Sequence, residues 1–354
     1  MSTIPYSKEL EIAQLAVKRA SILTKQVSDS LKNGTNTVTK DDKSPVTIGD
    51  FGAQAVIIKA IKEAFPNDEV VGEEDSDVLR QDDTLRRKIF ELVKDVESQD
   101  TQHAPQLGSF KDEAEICDVI DMGNSEGGNK GRIWALDPID GTKGFIRGDQ
   151  FAVCLALIVD GKVKLGVIGC PNLPEVLPIP QGQDSIIARG GLFSAIEGVG
   201  SYFQDLWAPL KSLLETERIF MKNDLEFKDV KVCEGVEKGH SSHDTQSQIK
   251  LKLSIPLDST INLDSQAKYC TLSKGVAEIY LRLPVSDTYR EKIWDHASGQ
   301  VLITESGGIV SDIYGNPLDF GKGRTLASKG IIAASKNLHS DVIKAVGAVL
   351  GERD

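Results

Sequence analysis

Apolar residues recur at helical spacing near the start of the chain. Leu10, Ala13, Val17, Ala20 and Val27, with lysines and glutamates between them, predict an amphipathic helix over residues 8–30 that Asn33-Gly34 ends. A second helical stretch runs from Asp50 to about Ala64 on Ala53, Val56, Ile57, Ile58 and Ile61, with Asp50 opening or capping it. Pro66 stops that helix ahead of a short strand at Val70-Val71. From 76 to 130 charge dominates and the periodicity weakens, which predicts helices near 84–97 and 112–122 and a flexible glycine-rich connection from Gly123 to Gly131. That loop lacks both the spacing and the Lys-Ser/Thr ending of a P-loop.

The period then changes. Phe151 to Ile158 is almost unbroken apolar sequence, followed by Asp160-Gly161 and an apolar return from Val163 to Ile168, so a hairpin buried on both faces is expected. Pro171, Pro174, Pro178 and Pro180 place a change of domain near 180, dividing 1–180 from 181–354. Beyond it, strands are expected from Ser185 onward, through Val230-Cys233 and Leu251-Ile255, and over 276–283. Residues 296–306 and 338–350 read as helices flanking a turn-rich 307–330, and no repeat of fixed period is present.

Composition narrows the class. With 354 residues and 40% hydrophobic content the chain can bury a core without staples, and its five scattered cysteines show no CxxC spacing, which argues against a disulfide framework or a thiolate zinc site. A formal charge of -12 argues against nucleic-acid polymers and anionic membranes as partners, while leaving room for a small phosphorylated substrate. No apolar run reaches transmembrane length, so a cytoplasmic location is expected, with the nucleus as a second compartment.

Candidate chemistry concentrates in Trp134-Ala-Leu-Asp137-Pro-Ile-Asp140-Gly-Thr142, where an apolar segment ends in two carboxylates and a hydroxyl. Pro138 restricts the backbone between the acids, and Gly141 permits a turn that aims both at one cation with Thr142 toward the reacting centre. Alone, the segment also fits a solvated Asp-Gly turn. Asp50 and Glu73-Glu74 likewise fit helix caps and surface acids. The same context recurs in Trp294-Asp295-His-Ala-Ser-Gly299: acids at element ends beside Gly, Pro or Trp, which favours one shared site. Hard carboxylate oxygens suit Mg²⁺, and a site short of protein ligands leaves room for water and phosphate, so the residues point to metal-assisted phosphoryl hydrolysis. Carboxylates crowded in this way should have raised pKa values and bind metal more weakly as pH falls.

Asp137-Pro-Ile-Asp-Gly-Thr142, Gly72-Glu-Glu74 and Trp294-Asp-His-Ala-Ser-Gly299 resemble the signature of the lithium-sensitive, magnesium-dependent phosphatases related to inositol monophosphatase and fructose-1,6-bisphosphatase. Within that family, Gly235-Val-Glu-Lys-Gly-His-Ser-Ser-His-Asp244 and Leu263-Asp-Ser-Gln-Ala-Lys-Tyr-Cys270 resemble the fungal 3'(2'),5'-bisphosphate nucleotidases of sulfate assimilation and salt tolerance. The resemblance covers nearly the whole chain. It implies an α/β fold, a two-domain layered α/β/α/β/α sandwich with the active site in the cleft between the domains. It also implies Glu73, Asp137, Asp140, Asp295 and the Ile139 carbonyl as ligands for up to three Mg²⁺ ions. Asp50 and Thr142 would orient and activate the attacking water, with Glu74 acting through water or through its neighbours. His240, Ser265, Lys268 and Arg282, together with Thr142, would contact the nucleotide.

The implied reaction is hydrolysis of adenosine 3',5'-bisphosphate to AMP and phosphate, with action also on 3'-phosphoadenylyl sulfate and the 2',5' isomer, inhibition by lithium and sodium, and a monomeric enzyme. Two other readings stand beside it: an inositol polyphosphate 1-phosphatase, and a magnesium-dependent nucleotide sensor that hydrolyses nothing. Without the resemblance, Lys268 and Arg282 read as a solvated strand face, and His240 with His243 lacks the further ligands that zinc needs. The chain departs from the family at Ser298, where a second Ala is usual, and in its charged 76–122 segment, which bears on how the site mouth closes.

Overall fold

The computed structural model describes residues 4–32, 45–179, 187–236, 243–284, 286 and 288–351. Its strands form two sheets. The first takes β1 (Glu69–Gly72), β2 (Arg132–Asp140), β3 (Ala152–Val159), β4 (Lys162–Pro174), β5 (Arg189–Ile196), β6 (Gly200–Asp205) and β7 (Glu217–Ile219) in chain order, parallel between β1 and β2 and antiparallel thereafter. The second takes β8 (Val232–Glu234), β9 (Thr260–Asn262), β10 (Ile279–Arg282), β11 (Gly308–Ser311) and β12 (Ile331–Ser335) in the order β11-β12-β10-β8-β9. The helices are α1 (Ser7–Lys32), α2 (Pro45–Ala64), α3 (Asp77–Arg80), α4 (Asp83–Gln99), α5 (Ala104–Leu107), α6 (Glu113–Asp121), α7 (Thr142–Arg147), α8 (His243–Lys252), α9 (Ala267–Ser273), α10 (Ala297–Glu305) and α11 (His339–Gly351).

Three cores separate five layers. One lies between α1 with α2 and the first sheet, joining Val17, Leu23 and Ile57 to Leu155 and Val167. The second lies between the opposite face of that sheet and the second sheet, with α9 and α10 in between, and includes Cys154, Ile168, Tyr269, Val301 and Ala333. The third packs the outer face of the second sheet on α8 and α11 through Val232, Ile249, Ile332 and Val346. This is the expected α/β/α/β/α order. Because the first sheet is covered on both faces, β3 and the middle of β4 from Leu165 to Cys170 are buried at successive positions, which is why they read as near-continuous runs rather than alternations. The two helices expected in the charged segment appear as α4 and α6, opened by Asp82 accepting from Leu85 N–H and by Asp112 accepting from Ala114 and Glu115 N–H.

Several expectations are corrected. Asp50 does not open α2; that helix begins five residues earlier at Pro45, since the first turn leaves its N–H groups unpaired and tolerates a proline. Leu251-Ile255 is the end of α8 and its turn, with Leu253 N–H bonded to Ile249 C=O, because the apolar residues there serve a helix face and not a strand. The turn-rich 307–330 contains β11, and Ile331–Ser335 adds a strand that was not anticipated. The glycine-rich connection is anchored: Gly72 N–H bonds Gly123 C=O, Ser125 N–H bonds Val70 C=O, and the Arg324 guanidinium holds Ser125 C=O. The first sheet continues past 180 to Ile219. Asn33-Gly34 lies outside the described residues. All five cysteines are buried free thiols. No described helix is long and apolar enough to cross a membrane.

Candidate active site

The acids gather where β1 and β2 end side by side. Parallel pairing of Gly72 with Leu136 places Glu73 one residue beyond β1 next to Asp137 on β2. Between Asp137 and Asp140 the β2–β3 register shifts, so Pro138 and Ile139 have no facing residue on β3. Gly141 then takes φ 91°, and a side chain there would meet Ser265, so only glycine lets the turn pass so close to α9. Thr142 opens α7 and is exposed.

On α2, Asp50 and Gln54 sit one turn apart. Gln54 clamps the backbone of Glu74, donating to its C=O at 2.6 Å and accepting from its N–H at 3.0 Å. That clamp brings the Glu73-Glu74 pair up to Asp50, whose carboxyl is pushed well above its usual range by burial and then by Glu74 and Glu73.

Asp137 is 2% exposed and is raised well above an ordinary aspartate by burial, then by Glu73, Asp140, Asp295 and Asp50. Its Oδ1 is buried with no hydrogen-bond partner. Glu73 is an exposed residue whose carboxyl is nonetheless crowded by protein atoms; burial and Glu74 push it up to about 7 against a hydrogen bond with Asp137. Asp295 is also pushed up to about 7, by burial and by Asp140 and Glu73 against the pull of His296 and Arg282. Burial raises Asp140 too, opposed by Lys268, by the Gln266 N–H at 2.5 Å and by Arg282 and His296.

Glu73, Asp137, Asp140 and Asp295 thus face one another from distant parts of the chain. A buried carboxylate oxygen without a donor, among acids that each resist ionisation, is the pattern expected of a divalent-cation site. Among the described residues, no hydrogen bond joins Thr142 to Asp50.

A second acidic group comprises Glu291, Asp295 and His296, whose ligand atoms lie within 4.8 Å of one another. Glu291 is already engaged by Arg282 Nε at 2.7 Å and by His296 Nε2 at 3.2 Å, and His296 Nδ1 meets the Tyr269 hydroxyl at 2.8 Å. This pairing holds Glu291 down to about 2 against its burial. Asp295 is therefore the member of that group facing the other acids.

Next to the acids opens a cleft of about 330 Å³, lined by Asp140, Thr142, Ser265, Lys268, Arg282 and Asp295 among others. Lys268 lies on α9, 7% exposed, and Arg282 ends β10, half-buried, so neither forms a solvated strand face. The Lys268 ammonium donates to the carbonyls of Ser265 at 2.8 Å and Leu263 at 3.2 Å and sits 5.2 Å from the Tyr280 ring centroid. Burial lowers its pKa, against the pull of Asp140. Ser265 holds φ 62° and its hydroxyl accepts from Ala267 N–H at 3.1 Å, leaving its own proton free to donate. His240 lies outside the described residues.

Sequence reasoning missed Gln54, Gln266, Glu291 and Arg324. Arg324 donates to Gly72 C=O at 2.6 Å and its guanidinium lies 5.0 Å from the Trp294 ring, so it joins the residue before Glu73 to the residue before Asp295. No local spacing signals such contacts. Glu291 alone had a cue, its position five residues before His296 in the Trp294 motif.

The family model described as inositol monophosphatase family matches residues 7–350. 3'(2'),5'-bisphosphate nucleotidase 2 of Candida albicans is 57% identical over 357 residues, covering 98% of this chain and 99% of that protein. The 3'(2'),5'-bisphosphate nucleotidase of Schizosaccharomyces pombe is 47% identical over 348 residues, covering 97% of this chain and 96% of its own. Among solved structures, CysQ from Bacteroides thetaiotaomicron, described as a bacterial member of the inositol monophosphatase family, superposes with a TM-score of 0.59 at 19% identity, covering 94% of this chain and 99% of its own. An IMPase from Thermotoga maritima does so at 0.58 and 19% identity over 98% of this chain and 100% of its own. At such identities these structures speak for the fold alone.

Proposed function

The chain belongs to the inositol monophosphatase family, and on that premise we propose that it is a 3'(2'),5'-bisphosphate nucleotidase that converts adenosine 3',5'-bisphosphate to AMP and phosphate. The observation that carries this reading is one cleft that acids and cations share. Asp140 and Asp295 line it beside the acid cluster in which Asp137 Oδ1 has no donor, and Lys268, Arg282 and Ser265 line it as donors for an anion. Its near relatives carry the same name along their full length.

Metal dependence is expected of this family, and the donor set suits Mg²⁺, up to three ions, held by Glu73, Asp137, Asp140, Asp295 and the Ile139 carbonyl. When bound, Mg²⁺ supplies positive charge for the scissile phosphate and leaving oxygen and makes water more acidic. The chain's own residues do the rest. Thr142 orients the attacking water through its hydroxyl and passes a proton toward Asp50, whose raised pKa makes it the stronger base. Glu74 supports that pair from beside Asp50. Lys268, Arg282 and Ser265 bind the second phosphate, with the Arg282 guanidinium suited to two parallel hydrogen bonds. His240 contacts the nucleoside.

The proposal extends to 3'-phosphoadenylyl sulfate and adenosine 2',5'-bisphosphate as further substrates and to lithium and sodium as ions that compete for a magnesium position. It also extends to a monomer in the cytoplasm and nucleus with roles in sulfate assimilation and salt tolerance. The test is phosphate release from adenosine 3',5'-bisphosphate, inositol 1,4-bisphosphate, inositol 1-phosphate and fructose 1,6-bisphosphate, each with Mg²⁺, without it, and with added Li⁺. Magnesium-dependent turnover of the adenosine compound, suppressed by Li⁺, is expected. Preference for an inositol phosphate would keep the metal chemistry and reassign Lys268 and Arg282. Nucleotide binding without release from any substrate would make the protein a sensor.

A further inference from the structure

Gln266 occupies a junction that neither the acid cluster nor the anion end explains. Its side chain is 2% exposed and every polar atom of it is engaged. The backbone N–H donates to Asp140 Oδ2 at 2.5 Å. The side-chain Nε2 donates to the Trp294 carbonyl, one residue before Asp295, at 2.8 Å. Oε1 accepts from the Ser298 hydroxyl at 2.8 Å and from Gly299 N–H at 3.1 Å, both in the first turn of α10. The Ser298 hydroxyl lies beside Cys154, which pairs across the sheet with Asp137. Gly299 allows the arrangement, because a side chain at that position would meet the Tyr269 ring at about 2.1 Å.

We propose that Gln266, fixed by Ser298, is the positioning residue that sets the separation of Asp140 from Asp295 and so tunes cation affinity. The inference rests on the reading of those acids as ligands. Asp140 ends β2 and Asp295 precedes α10, and their carboxylates repel one another until a cation arrives. The backbone N–H of Gln266 holds Asp140 while its side-chain amide holds the Trp294 carbonyl beside Asp295, so one residue ties the pair to one spacing through the metal-free state. A carboxylate in its place would add repulsion, and an apolar residue would leave Trp294 C=O and Gly299 N–H unpaired. Outer hydrogen bonds to ligands typically change metal affinity by about 10–100-fold when lost. The Ser298 bond, one of two reaching Oε1, should account for a small part of that.

Isothermal titration of Mg²⁺ into the full chain without nucleotide, read beside thermal melting and steady-state kinetics, tests this. For Gln266→Met the Mg²⁺ Kd should rise about 10–100-fold. For Ser298→Ala, which removes only the hydroxyl and keeps the helix start, it should rise about threefold at an unchanged Tm, a loss that saturating Mg²⁺ repairs in kcat while KM for the nucleotide stays fixed. A Kd unchanged in Ser298→Ala, or changed only in step with Tm, would overturn the role, and this holds even if Gln266→Met does not fold. Wild-type protein that binds Mg²⁺ but hydrolyses nothing would sink the nucleotidase reading and leave the brace standing. Wild-type protein that binds no Mg²⁺ would sink both.

Discussion

The acid end of the site, beside the cleft, and the basic end, within it, solve opposite electrostatic problems. At the acid end, burial raises Asp140, which in turn raises Glu73, Asp137 and Asp295, and Asp137 Oδ1 has no donor, so that end is incomplete without an outside charge. At the basic end, Lys268 rests on two carbonyls and Arg282 on Glu291, so both cations already have acceptors within the protein and keep donors to spare. One end waits for a cation to be assembled; the other is assembled before the substrate arrives. Substitutions at the acid end should therefore act on turnover and those at the basic end on binding.

The sharpest break of that contrast is Asp140→Asn. The amide oxygen keeps the bond from Gln266 N–H while the negative charge is lost, so the fold should persist and kcat should fall by at least about 10²–10³-fold at saturating Mg²⁺, measured as phosphate release beside a thermal melt. Activity near the wild-type value would remove Asp140 from the ligand set.

Titration offers the next test. Glu73 and Asp295 are both held up at about 7, from ordinary values of 4.5 and 3.8. Acids raised on folding stabilise the protein below their unfolded values and lose that contribution as pH rises through the folded ones. The metal-free protein should thus melt higher at pH 5 than at pH 7.5, while Mg²⁺ affinity climbs over the same window by up to about tenfold per pH unit for each proton displaced. A metal-free Tm that rises between pH 5 and 7.5 would contradict the crowded-acid account.

On the other side, Arg282→Lys keeps a charge and loses the planar fork. KM for the bisphosphate should rise about tenfold with a smaller change in kcat. The structure adds a refinement for Arg282→Ala, since Arg282 also supports Glu291 and through it His296, the neighbour of Asp295. That variant should lose kcat as well as binding, and Arg282→Lys separates the two effects.

The local parts of this design were legible in the chain and the long-range parts were not. Asp137-Pro-Ile-Asp140-Gly-Thr142 carries its own turn and its own acids, and β3 and the middle of β4 announce double burial because successive residues there are apolar. Asp50 could be singled out, but its place inside α2 depended on a helix that starts at Pro45, ahead of the apolar run. Leu251-Ile255 misled because a short apolar stretch has too few turns to distinguish the end of a helix from a strand. The connections that make a site from these pieces, Gln54 to Glu74, Gln266 to Trp294 and Arg324 to Gly72, join residues 20, 28 and 252 positions apart. Polar contacts of that kind leave no periodicity to read.

The smallest expected effect marks where the basic end stops. The Arg282 guanidinium reaches the Tyr289 hydroxyl at 3.4 Å, a long contact on a side chain that is 44% exposed. Water competes well for both groups at such a position, and Arg282 Nε keeps its 2.7 Å bond to Glu291 whether or not the hydroxyl is there. Tyr289→Phe should therefore cost under about 1 kcal/mol of nucleotide binding, less than a fivefold rise in KM, with kcat unchanged. Tyr289 also lines the cleft, and its ring survives the substitution, so stacking against a ligand would be left intact by Phe and removed by Ala. If Tyr289→Phe alone raised KM tenfold or more, the hydroxyl would have to donate to the substrate itself. The basic end would then depend on an exposed residue that the ligand orders, and the contrast between an end that waits and an end that is ready would fail at that point.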